Sequence, residues 1–188
     1  ARTLYKFDAR GDALFDIKSG QLLSNVETSK SESKETKNSI VFDYAKRTAS
    51  YINEINPTKS TTLQMPAGEP MDLIMSLVQT RAWDLKPGEQ RDALVIFDDE
   101  YYELTIHAEA YETVHTPLGT FNSLLLVPRM EKTPPKGMFK RGSSVRVWIS
   151  QDDRRLPVKF QVDFKIGAGV ATLVSYTPPT KEQPAGHP

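Results

Sequence analysis

Residues 145 to 166 read "VRVWISQDDRRLPVKFQVDFKI": two runs of alternating side chains about a charged turn, the pattern that decides for an antiparallel β fold. In the second run Leu156, Val158, Phe160, Val162, Phe164 and Ile166 alternate with Pro157, Lys159, Gln161, Asp163 and Lys165. At ~1.5–3 kcal/mol per buried large apolar side chain, that row is worth on the order of 10 kcal/mol before entropy. A slip of one residue would bury charge instead, so the whole row is expected to face a core. In the first run Val145, Val147 and Ile149 share one face, and Arg146, Trp148 and Ser150 the other. Trp148 is therefore expected among polar neighbours. Asp152 to Arg155 is expected to reverse the chain, with Pro157 at a strand start that tolerates a missing donor.

The same alternation recurs outward in "TLYKF", "ALFDI", "SIVFDY", "TASYI", "ALVIF", "YYELTIHAEAY" and "FNSLLLV". Turn chemistry separates the runs: "RGD" at 10 to 12, "KSGQ" at 18 to 21, "YAKR" at 44 to 47, "DDE" at 98 to 100 and "TPLGT" at 116 to 120. Tyr102, Leu104, Ile106, Ala108 and Ala110 form a second inner row, with Glu103, Thr105, His107 and Glu109 facing away. Residues 27–39, "ETSKSESKETKNS", have no apolar anchor and are expected to form a mobile polar hairpin or loop. One helix is expected over 70–82, with Pro70 in its first turn and Met71, Ile74, Met75, Val78 and Ala82 on its buried stripe, widened by Leu73 and Leu77. Such a helix would span roughly 20 Å. From Thr177 the chain is Pro-rich and polar, and 177–188 are expected to be a disordered tail. These rows predict one mainly β domain over 1–176: a curved antiparallel sheet with a helix packed on its concave face, though a closed barrel satisfies the same rows.

The 188 residues carry 24 basic and 24 acidic side chains, so bulk charge gives no pull toward nucleic acid or an anionic membrane surface. There is no cysteine, which excludes disulfides, thiolate metal sites and cysteine nucleophiles. No apolar run approaches the ~20 residues of a membrane span. Ala1, not methionine, opens the chain, as expected where a leader has been left out or the start trimmed.

Catalytic chemistry finds little footing. His107 with Glu109 is one histidine with a flanking carboxylate, short of the three or four ligands a metal site needs. Asp98-Asp99-Glu100 and Asp152-Asp153 occupy predicted turns, where aspartate serves geometry. Ser143 and Ser144 have no histidine placed to activate them, and no Gly-x-Ser-x-Gly elbow, P-loop or dinucleotide fingerprint occurs. "KIGAGVA" at 165 to 171 reads as a hairpin or bulge. No catalytic residue, metal or cofactor is expected. Arg81 and Trp83 at the helix end, and Arg146 and Trp148 on one strand face, are the candidate ligand-binding residues. They either line a cavity between helix and sheet or cap the rim of the core.

"VWISQDDRRLPVKFQVDFKIGAGVATLVSY", "ETVHTPLGTFNSLLLVPRM" and "DLIMSLVQTRAWDLKPGEQ" occur in that family's order and resemble the closing strands, the Thr-Pro-x-Gly-Thr-Phe turn and the helix of the bacterial exported family called domain of unknown function 3108. The resemblance covers about residues 70 to 176. The family's opening strands look reduced, so a missing first hairpin and an unpaired sheet edge are expected. Membership implies a periplasmic or secreted protein of a Gram-negative bacterium and a fold similar to the half-barrel of periplasmic lipoprotein carriers. By that analogy the partner is an apolar lipid or acyl ligand held between sheet and helix. The alternative is an envelope scaffold that binds a protein or glycan through its polar sheet face around Trp148, Arg146 and His107. The oligomeric state is left open.

Overall fold

The computed structural model describes residues 7–32, 34–140, 143–164 and 167–178. Among the described residues twelve strands lie in two sheets. The first is a meander of β1 (Phe7–Phe15), β2 (Leu22–Ser31), β3 (Glu35–Asp43), β4 (Thr48–Asn53) and β5 (Thr61–Gln64), in that order. The second comprises β6 (Pro70–Met71), α1 (Leu73–Thr80) laid beside it, β7 (Gln90–Phe97), β8 (Glu100–Thr116), β9 (Gly119–Arg129), β10 (Ser144–Ser150), β11 (Pro157–Phe164) and β12 (Gly167–Thr172). Its strands run in order from β12 to β6. All pairings are antiparallel except β6 with β7, where Pro70 lies opposite Leu94.

The expected half-barrel is not what forms. Neither sheet closes or curls strongly, and the chain makes two sheets where one was expected. The break falls at Met65 to Glu69, where Pro66 lacks a donor and Gly68 takes φ +104°, so the ladder cannot continue past β5. Nor does a helix of eight residues, about 12 Å long, cover a whole concavity. The helix starts at Leu73, three residues later than expected, after Asp72, extended and buried, whose Oδ1 caps it by accepting from Met75 N at 2.6 Å. Pro70 is taken by an edge strand, where its missing N–H costs nothing. Of the expected buried stripe, Met71 and Met75 do pack inward, Val78 is 43% exposed and Ala82 lies beyond the helix end. The side chain of Ile74 lies outside the described residues. "RGD" is no turn either: Gly11 sits within β1 opposite Glu27, and Arg10 pairs with Asp12 along the strand at 2.9 Å.

Strand β7 is buried on both faces and joins the sheets. Ala93 and Val95 enter the core of the seven-stranded sheet with Trp83, Leu104, Leu126 and Val147. Ile96, on its other face, enters the core of the five-stranded sheet with Met75, Leu22, Ile40, Phe42 and Tyr51. Asp98, at φ +56° in the β7–β8 turn, adds a polar tie by accepting from Tyr51 OH at 2.5 Å and from Asn38 Nδ2 at 3.0 Å. Residues 27–31 and 35–39, in the polar run, form the paired strands of the β2–β3 hairpin.

Between the sheets Glu27 accepts from Asn25 Nδ2 at 3.2 Å. Burial raises its pKa, and the charges of Asp72 and Asp98 add to the rise. The unfolded carboxyl therefore ionises first as pH rises, so this group lowers stability from the ordinary carboxylate range up to its raised folded pKa and keeps it lower above. Glu27→Gln, which can keep the Asn25 contact, is expected to be more stable than the parent at about pH 7 and equal to it below about pH 4. Urea midpoints at the two pH values check this.

Two bulges redirect the rows read from sequence. In β8, Ala108 pairs with Leu126 and Ala110 with Leu125, so Glu109 is the extra residue. Tyr102, Leu104, Ile106 and Ala108 face the helix-side core, whereas Ala110, expected with them, moves to the opposite face. In β11, Trp148 pairs with Lys159 and Ile149 with Pro157, which leaves Val158 extra. Leu156 and Val158 accordingly join an outer cluster with Val114, Phe121, Leu125 and Trp148, while Phe160 packs on the helix side. Phe164 ends 52% exposed. Ile166 lies outside the described residues, as does the expected tail from 179 onward.

Candidate functional site

Helix α1 presents Leu73, Ser76, Leu77 and Thr80, one stripe at i, i+3, i+4 and i+7, toward the seven-stranded sheet. Val95, Leu104, Ile106, Leu126, Val147 and Phe160 form the facing wall of a slot, and Met138 and Phe139 of the 3₁₀ turn Gly137–Phe139 roof it. Counted out to its mouth the slot holds about 640 Å³, yet it is narrow, and only about 60 Å³ admits a water-sized sphere.

Its few hydroxyls are already used. Ser76 Oγ donates to Leu73 O and Thr80 Oγ1 to Leu77 O, both at 2.7 Å. Tyr102 OH donates to Glu100 Oε2 at 3.0 Å, and burial, reinforced by that carboxylate, pushes the phenol up to about 12. It therefore stays neutral at physiological pH. These hydroxyls have committed their protons, and the surface the slot exposes is apolar, so a polar group entering would lose hydration with little to replace it.

The four residues singled out from sequence fall into two places, neither lining this slot. Arg81 and Trp83 follow α1. The Arg81 guanidinium donates to the carbonyls of Arg155 (3.1 Å) and Arg154 (2.9 Å), and Arg155 Nη2 donates back to Trp83 O at 2.8 Å. Trp83 is 5% exposed, with the Arg91 guanidinium 4.7 Å from its ring. It borders a more open, mixed-polarity cleft of about 390 Å³ with Gln79, Arg91 and Glu103. Arg146 and Trp148 lie on the far face of the sheet. Trp148 is 2% exposed, donates Nε1–H to Glu112 Oε2 at 2.7 Å and lies under Lys159 Nζ at 4.2 Å. Leu173 and Tyr176 pack over its cluster, so its ring is not on an open surface. Arg146 donates to Asp163 at 2.5 Å.

Most of the titratable groups considered for chemistry have structural partners. His107 Nε2 meets Glu131 at 2.9 Å, Glu109 pairs with Arg129, and His115 Nδ1 meets Thr120 Oγ1 at 2.9 Å. Asp152 accepts from Ser150 Oγ at 2.6 Å and from Arg154. Gln161, Ser144 and Arg146 all donate to Asp163 and hold its carboxyl at about 2. Among the described residues no group of three or more His, Asp or Glu is placed to hold a metal, and no helix is long and apolar enough to cross a membrane. The sequence reading passed over Met138 and Phe139; the available signal was an apolar pair, "GMF", set in a basic, Pro-rich loop.

Neither the curated proteins nor the solved structures give a match to this chain. One family does, described as a protein of unknown function, DUF3108, and the match spans residues 1–174. It extends well before residues 70 to 176, on which the resemblance rested. With nearly the whole chain covered, the protein belongs to the DUF3108 family.

Proposed function

We propose that this is a non-enzymatic cell-envelope protein, periplasmic or secreted, that holds an apolar lipid or acyl ligand in the slot between α1 and the seven-stranded sheet. The slot's lining supports this reading: its hydroxyl protons are committed within the protein and the surface it exposes is apolar, so it offers a ligand chiefly apolar contact. Export rests on what resemblance to the family implies, and osmotic-shock fractionation of the host tests it. The binding test is titration with cis-parinaric acid and displacement by palmitate. Leu77→Trp, which fills the slot from the half-buried side of the helix, is expected to weaken binding at least tenfold. Native mass spectrometry of protein purified from its host should show a bound lipid mass. A fully ligand-free spectrum together with no parinaric acid uptake would sink the reading.

A further inference from the structure

The slot is too narrow to be used as it stands. An engineered dry apolar cavity of about 150 Å³ holds benzene, and the slot has only about 60 Å³ of clear space. One of its walls must move, and the two movable walls are held very differently.

Helix α1 is fixed at both ends, by β6, which leads into it and pairs with β7, and by the Arg81 and Arg155 crosslinks to the β10–β11 turn. Among the described residues the roof has no such anchorage. Glu131 and Lys132 are tied to His107 and Asp92, but beyond them the hydrogen bonds of 133–140 among the described residues close locally. Phe139 N donates to Lys136 O at 2.9 Å, Lys140 N to Gly137 O at 3.4 Å, Lys136 N to Met130 Sδ at 3.4 Å, and Ser143 N to Lys140 O at 2.9 Å.

What fastens the roof is a side-chain latch. Lys136 Nζ lies 3.3 Å from Glu100 and 4.9 Å from the Tyr102 ring centre, and the Phe139 ring is tilted against Tyr102 at 5.8 Å. An ion pair that exposed contributes little. Gly137, at φ +54°, lies so close over Tyr102 that any Cβ there would overlap the phenol oxygen.

We infer that residues 133–140 are a lid whose release from Tyr102 and Glu100 opens the slot, and that the occupant it admits is a single unbranched hydrocarbon chain. The chain assignment deepens the apolar-ligand reading above and rests on it. The lid itself does not. So little clear space between apolar walls suits a thread of methylenes, and a rigid fused-ring lipid would have to part the helix from the sheet.

The absence of native cysteine allows a clean test by thiol labelling with Ellman's reagent. Val147→Cys places a thiol in the slot, and Val158→Cys places one in the outer cluster, where Val158 is 0% exposed. Lid opening labels only the first, whereas global unfolding labels both alike. The expected result is labelling at least tenfold faster at Val147→Cys, and a further tenfold acceleration there, none at Val158→Cys, when Gly137→Ala lifts the lid off Tyr102. Equal rates at the two thiols overturn the lid. Palmitate is expected to slow labelling at Val147→Cys and deoxycholate, a fused-ring amphiphile, to leave it unchanged. Protection by deoxycholate alone overturns the chain assignment. Selective labelling that neither compound slows upholds the lid and overturns the apolar-ligand reading with the chain assignment.

Discussion

Trp148→Ala is expected to lower the unfolding free energy by about 3–5 kcal/mol, the usual cost of emptying a large buried aromatic site. In a chain of this length that is a fall in Tm on the order of 10 °C. The indole packs with Val114, Phe121, Leu125, Leu156 and Val158 at 2% exposure, and Glu112 accepts its N–H. Truncation thus leaves a cavity and withdraws a donor together. Trp148→Phe fills much of the volume and is expected to cost less than half as much. Guanidinium unfolding of the three proteins, read by far-UV circular dichroism, checks both numbers. A near-unchanged Tm for the alanine variant would return Trp148 to the surface-binding role that its polar strand neighbours suggest.

Arg155→Ala is expected to cost about 2–3 kcal/mol, the range for charged donors withdrawn from partly buried acceptors. Its two guanidinium nitrogens serve Trp83 O and Gln151 Oε1, at 2.8 and 2.9 Å, while its own carbonyl accepts from Arg81. The two arginines thus fasten the end of α1 to the Asp-Asp-Arg-Arg turn from both sides. A double-mutant cycle with Arg81→Ala is expected to show coupling of at least ~0.5 kcal/mol, because each substitution disables a crosslink that the other supports. Additive losses in urea titrations would mean that the contacts act independently. The single variant should also bind parinaric acid more weakly, since one wall of the slot loses its far anchor.

Much of the strand content was legible. "ALVIF", "YYELTIHAEAY", "FNSLLLV" and, within the opening quotation, residues 145–150 and 157–164 fall in strands, because period-two alternation follows directly from backbone geometry. The charged turn at 152 to 155 and the "TPLGT" and "YAKR" turns were readable from side-chain chemistry for the same local reason. Bulges were not readable. Glu109 and Val158 look like ordinary members of alternating rows, and only the pairing partner shows that each is one residue too many. Each bulge exchanges the faces of everything beyond it, so Trp148, Leu156 and Val158 meet in one cluster although the alternation set them apart. The slot was half legible: Leu73 and Leu77 were on the expected apolar stripe, but the opposing wall and the Met138–Phe139 roof come from distant segments.

The sequence by itself determined an antiparallel β protein with one short helix, no thiol chemistry and, through its ordered motifs, its family. Those properties are local or compositional, and each is set by residues within a few positions of one another. Only the tertiary structure decided that there are two sheets, that Trp148 is core, and that the helix and the 133–140 segment enclose an apolar slot. Such features depend on which strand lies beside which, and local alternation is equally satisfied by a curled sheet or by two flatter ones.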